Sequence, residues 1–262
     1  MKKIISLSLA LSIVISLCSC DSGSQSRSSG NDSDVVSSVS SSDVTDKSEN
    51  KLQEPEKDIG PYEITYSNAR VYTDSIGTKW VQSIVEITNT GNDNLYLNSG
   101  SYDLEDSNGS LVAAQTMVSA FPDVLAPGEK GYMYEETTLD DYDGDGELTI
   151  LPRPDVKKAT VDLVRYNISD LKVSNDKYSG VKVSGRIENQ TSEATDGMVY
   201  IVAFFYDANG TPIGSAFTIL MEDIDAGAKI GFDFSGFSLP DDVTADTISD
   251  TIVYAYPLQY QF

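Results

Sequence analysis

Short runs of alternating apolar and polar residues fill the chain from about position 60 onward, and the runs come twice. Val81 to Thr90 (VQSIVEITNT) alternates and ends on Asn89; Val181 to Gln190 (VKVSGRIENQ) alternates and ends on Asn189. Residues two apart share one face of a strand, so such runs predict half-buried β-strands. Ile64 to Val71 and Ile168 to Val173 open the two copies in the same way. In Ile201 to Tyr206 the alternation is incomplete, which predicts a central strand covered on more than one side. Helical periodicity is nearly absent.

The copies keep step beyond these runs. Each next strand closes on Asn-Gly, Asn108-Gly109 and Asn209-Gly210. This dipeptide predicts a hairpin with both central residues at positive φ. The turns Leu125 to Lys130 and Ile224 to Lys229 then open strands at Gly131 to Thr137 and Ile230 to Phe237. A proline-aspartate turn is expected at Pro154-Asp155-Val156 and again at Pro240 to Val243. Final runs follow at Thr160 to Tyr166 and Thr251 to Tyr256. The predicted fold is all-β, two tandem antiparallel immunoglobulin-like β-sandwich modules, 60–166 and 167–262, behind a signal peptide and a disordered linker.

A strand ending in Asn, an apolar-aromatic-Asp strand end, Asn-Gly and a turn into another strand together resemble the FxLYD-type module. The five-residue signature falls on Ala203-Phe204-Phe205-Tyr206-Asp207, with Ala203 and Phe205 in place of Phe and Leu. In the first copy it falls on Tyr102-Asp103-Leu104-Glu105-Asp106, where Tyr102 and Glu105 depart. The resemblance implies immunoglobulin-like domains of bacterial surface lipoproteins. It implies no catalytic role, because the motif residues are structural.

The first twenty residues follow a different pattern. Lys2 and Lys3 precede an apolar run from Ile4 to Leu17, which closes on Leu17-Cys18-Ser19-Cys20-Asp21. The run is shorter than the roughly 20 residues of a membrane span. It looks like a bacterial lipoprotein signal, residues 1–19, cleaved before Cys20, whose thiol then carries the lipid. Cys18 follows the bulky Leu17 and is the poorer acceptor. A lipid-modified Cys20 implies attachment to the membrane on its extracytoplasmic face, held stably once two or more acyl chains are present. Residues 20–59 are dominated by Ser and Asp and lack any buriable period, so they are expected to be a disordered tether. About 39 residues from Asp21 to Ile59 would span roughly 35 Å as a flexible coil.

Composition narrows the chemistry. The balance of 18 basic and 41 acidic residues gives a net charge of −23, and there is no histidine. Such a surface repels nucleic acid, so no nucleic-acid partner is expected. Once the signal is cleaved, Cys20 is the only thiol and it is acylated, so neither histidine-based nucleophilic catalysis nor thiolate or imidazole metal sites are available. The protein is therefore read as non-enzymatic and without a cofactor, apart from weak calcium. That candidate is Asp141, Asp143 and Asp145 followed by Gly146, which match the first half of a calcium loop. The second half fails, since Pro152 stands where a bidentate Glu belongs.

Aromatic stripes offer a second kind of site. Tyr132 and Tyr134 share a face, as do Tyr254 and Tyr256, and with Tyr142, Tyr260 and Phe262 they form either core or a contact surface. Trp80 is expected to pack at the core or the sheet edge. Two functions are carried forward: display of the modules for an envelope protein or glycan, or as a spacer, and capture or hydrolysis of a polysaccharide. A deep acidic cleft between the modules would favour the second, and two filled sandwiches without a concavity the first.

Overall fold

The computed structural model describes residues 60–139, 142–144, 146–177, 180–195, 197–236 and 239–259. Cys18, Cys20, the signal and the tether lie outside the described residues, as do Asp141, Asp145, Tyr260 and Phe262. The described chain is all-β, and every strand pairing in it is antiparallel.

In the first half, β1 (Tyr62–Thr73), β2 (Lys79–Asn89) and β6 (Lys130–Thr138) form one layer. A second layer holds β4 (Leu111–Phe121), β3 (Leu95–Glu105), β7 (Thr149–Lys158) and the short β5 (Val124–Leu125). The two layers are joined where β4 meets β6, at Ala120 opposite Met133 and Phe121 opposite Tyr132. Val81, Val85 and Ile87 of β2 pack there against Leu97, Tyr102 and Leu104 of β3. In the second half, β8 (Asn167–Asp176), β9 (Gly180–Glu188) and β12 (Lys229–Gly236) form one layer. β11 (Pro212–Leu220), β10 (Val199–Tyr206) and β13 (Asp250–Pro257) form the other. Val181, Val183 and Ile187 pack there against Ile201, Ala203 and Phe205.

The described residues from Gly60 onward belong to one compact unit, and the layers of the two halves also pack on each other. Val202, Phe204 and Tyr206, the alternate face of β10, lie in a third cluster with Tyr132 and Phe121. This is why β10 reads as nearly continuous apolar sequence: one face fills the second core and the other fills the seam.

Two buried asparagines hold equivalent corners. Asn89 Nδ2 donates to the carbonyls of Asp93 (2.9 Å) and Leu125 (3.0 Å), while its Oδ1 accepts from the Gly91 amide (2.9 Å). Asn189 Nδ2 donates to Glu193 and Ile224 carbonyls (2.8 Å each), and its Oδ1 accepts from Thr191 N (3.0 Å). An amide side chain offers two donors and an acceptor at once, and each corner uses all three.

Three expectations are corrected. The Asn-Gly hairpins form, but only Gly109 (φ 77°) and Gly210 (φ 77°) have positive φ. The loops are longer than a two-residue turn because an aspartate organises each: Asp106 Oδ1 accepts from Asn108 and Ser110 amides, and Asp207 Oδ1 from Asn209 and Thr211. Asp74 does the same for Ile76 and Thr78 between β1 and β2, and its other oxygen accepts from the Trp80 indole (3.0 Å). Second, Pro154-Asp155-Val156 is no turn; it lies inside β7. Pro152 and Pro154 are tolerated because β7 pairs with β3 alone, so missing N–H groups on its free side cost no ladder bond. Third, residues 160–166 form no strand. β7, not that segment, is the counterpart of β13, and Tyr166 packs in the second core with its hydroxyl bonded to Thr195.

Candidate functional site

The seam between the halves is built from alternation on β2, β6 and β10. On β2 the face away from the first core carries Gln82, Ile84 and Glu86, and these stand opposite Glu136, Tyr134 and Tyr132 of β6. Phe204 of β10 stacks on Tyr132 with centroids 3.8 Å apart. The Tyr132 hydroxyl bonds to that of Tyr206, which donates to Glu86 Oε2 (3.1 Å). Glu86 Oε1 accepts from Thr65 (2.7 Å) and pairs with Lys130 Nζ (2.8 Å). Burial alone would raise the Glu86 pKa, but the bonds from Lys130, Thr65 and Tyr206 outweigh it and hold the carboxylate below its usual range.

Arg165, in the connection between the halves, fastens the other end. Its guanidinium donates to the Val124 carbonyl and to Glu129 (3.2 Å), and it lies over the rings of Tyr254 (5.6 Å) and Tyr256 (5.4 Å). The aromatic stripes of the sequence thus serve a third purpose. Tyr132, Tyr254 and Tyr256 neither fill a sandwich nor face solvent; they cement one half to the other.

A groove remains where the seam opens, in two adjoining parts. A cavity of about 490 Å³ lies among Tyr134, Glu135 and Glu136 of β6, Ser215 and Phe217 of β11 and Phe121. A second of about 360 Å³ continues past Phe121 and Phe217 to Asp123, Tyr200 and Tyr256. Phe121 and Phe217 stand between the two parts with centroids 5.5 Å apart, and Phe217 is 53% exposed.

Each part contains a carboxyl group with a shifted acidity. Glu136 Oε1 accepts from Tyr134 (2.5 Å) and from Gln82 Nε2 (3.3 Å). Burial nevertheless pushes its pKa up to about 7, aided by the charge of Glu135. Burial likewise pushes Asp123 up to about 6, although the Arg165 charge opposes it. Both folded values lie above the unfolded ones. The stability they contribute is therefore full below the unfolded pKa and is lost as pH rises through about 6 to 7. The unfolding free energy from urea titration is expected to fall between pH 5 and pH 8, by up to about 3 kcal/mol for Glu136. Glu136→Gln should remove most of its share of that slope; an unchanged slope would place the titration elsewhere.

The calcium candidate is only partly described. Asp143 is exposed, while Asp141 and Asp145 lie outside the described residues. The loop already holds a cation: Lys79 Nζ donates to the Gly144 carbonyl (2.7 Å) and lies over the Tyr142 ring. Among the described residues no three His, Cys, Asp or Glu side chains gather as a metal site, and no helix is long and apolar enough to cross a membrane.

The groove residues Phe121, Asp123, Glu135, Glu136 and Phe217 are absent from the expectations drawn from sequence. Phe121-Pro122-Asp123 interrupts the strand pattern, and an exposed Phe217 in an alternating strand carries a signal. Neither reveals that the two segments face each other. In comparisons with known proteins, the chain matches no family model and no curated protein.

Proposed function

We propose that the chain is an exported lipoprotein, acylated on Cys20 and displayed on the extracytoplasmic face of a bacterial membrane, and that its folded part binds a partner rather than turning over a substrate. Two tandem immunoglobulin-like modules of the FxLYD kind would then be the displayed unit. The likeness rests on the residues quoted above and on one structural parallel. Both signature segments end a central strand, β3 or β10, and both final aspartates, Asp106 and Asp207, organise the turn that follows.

The observation that carries the binding reading is the groove at the seam. It combines one exposed aromatic ring, Phe217, and further aromatic side chains with buried or half-buried carboxyl groups and polar side chains, a lining suited to recognition. Both sandwiches are filled, yet a concavity lies between them, so the polysaccharide alternative also has support. Its hydrolytic form is the weaker branch. Glu135 and Glu136 belong to one strand, and the facing wall of that cavity contributes Ser215, Ala216, Phe217, Ser235 and Gly236, with no carboxyl across the gap among the described residues. Glycoside hydrolysis needs two carboxyl groups flanking the bond.

The anchor is tested by metabolic labelling with an alkyne fatty acid in a bacterial host. Cys20→Ala should abolish labelling, and Cys18→Ala should leave it intact. Label that survives loss of Cys20 would refute the anchor.

A further inference from the structure

We propose that the groove takes an extended basic peptide segment, which adds a strand to the free edge of β6 and sets a lysine or arginine side chain against Glu135, with its alternate side chains on the face of Glu136, Phe121 and Phe217. This deepens the binding reading above and rests on it.

The edge comes from how the first sandwich closes. β6 pairs with β2 over its whole length without a register shift, from Thr88 opposite Lys130 to Trp80 opposite Thr138. On its other side it meets β4 only at Tyr132 and Met133. Beyond that point the two strands part into different layers. Among the described residues, Tyr134 to Thr138 therefore pair on one side alone. Outward N–H and C=O groups along such an edge lack a ladder partner and present the pattern that another backbone completes. The facing edge of β4 is broken by a bulge at Met117 (φ 58°), which leaves β6 as the regular one. Among the described residues β11, across the groove, also pairs on one side only, with β10.

Side chains and charge select the occupant. A sugar would use the aromatic rings but not a strand edge, whereas an extended peptide uses both: the edge through its backbone and Phe121 and Phe217 through alternate side chains. Among the described residues no lysine or arginine lines either part of the groove, while Glu135, Glu136 and Asp123 do, on a chain of net charge −23. Cross-strand neighbours of opposite charge are favoured, so basic residues belong opposite Glu135, on the face away from Phe121.

The test uses the purified full chain and a capped decapeptide alternating valine and lysine, titrated by calorimetry at pH 8, where the groove carboxyl groups are charged, and at about 150 mM salt, where long-range attraction is screened. Comparators are the valine-glutamate peptide, the lysine peptide N-methylated on alternate amides, and chitohexaose. The lysine peptide should bind, and the glutamate peptide should not. N-methylation, Phe217→Ser, and Glu135→Gln with Glu136→Gln should each weaken binding by roughly tenfold or more. Glu63→Gln with Asp162→Asn, which line neither cavity, should leave it unchanged; circular dichroism checks that each variant is folded. Equal binding of the N-methylated peptide, or equal binding by the double glutamine variant, overturns the proposal. Binding of chitohexaose alone, lost in Phe217→Ser, also overturns it while leaving the groove as the binding site. Absence of binding by every probe removes both.

Discussion

Replacing Asn89 with alanine is expected to destabilise the fold by about 3–5 kcal/mol, a large share of the roughly 5–15 kcal/mol that separates folded from unfolded chains. The side chain is fully buried. Its loss strands two backbone carbonyls, those of Asp93 and Leu125, and the Gly91 amide. A buried polar group left without its partner costs about 1–3 kcal/mol, and three are released together with a small cavity. Asn89→Asp discriminates this account from one of packing. It keeps the acceptor for Gly91 but turns a carboxylate toward two carbonyl oxygens, so its pKa should rise. The variant should then be least stable at high pH and recover as pH falls, since stability tied to a raised pKa is lost as pH rises through it. Urea denaturation at pH 5 and pH 8 measures both effects. A loss below about 1 kcal/mol for the alanine variant would contradict a three-bond corner. Asn189, with equivalent bonds, should behave alike.

Phe204→Ala is expected to cost about 3–5 kcal/mol as well, but with a different signature. Phe204 is buried in the seam and stacked on Tyr132, while its neighbours Ala203 and Phe205 point into the second core. Truncation removes contact between the halves and leaves each inner core its own residues. The chain as it stands should therefore unfold in one cooperative transition, and the variant in two, with the m-value divided between them. Intrinsic fluorescence from Trp80, in the first half, against circular dichroism of the whole would separate the steps. A single transition with an unchanged m-value in the variant would mean that the seam does not couple the halves.

Much of the strand content was legible because period-two alternation is local. β1, β2, β6, β8, β9 and β12 lie where the apolar runs predict them. The incomplete alternation of Ile201 to Tyr206 also announced a strand covered on both faces. β7 was hidden by Pro152 and Pro154, which read as turn residues until the pairing shows that they sit on an edge. Residues 160–166 misled in the opposite way, since an apolar run with no strand beside it becomes a connection.

The candidate site was hardly legible. Phe121 and Phe217 are nearly a hundred positions apart, and nothing local says that they meet 5.5 Å apart. The tyrosine stripes were visible, but a stripe is equally consistent with core, seam or exposed surface, and only the partner on its far side decides. The acidities of Glu136 and Asp123 follow from burial between the halves, which no composition reveals.

By itself, then, the amino-acid sequence determined the all-β character and the place of the two Asn-Gly hairpins, because each depends on residues close along the chain. It also bounded the chemistry, through the absence of histidine and the large negative charge. Tertiary structure alone decided that the halves pack face to face, that the tyrosines are spent at their seam, and that a groove with a free strand edge is left there. These depend on which distant faces meet, and that is settled by burial summed over the whole fold rather than by any local pattern.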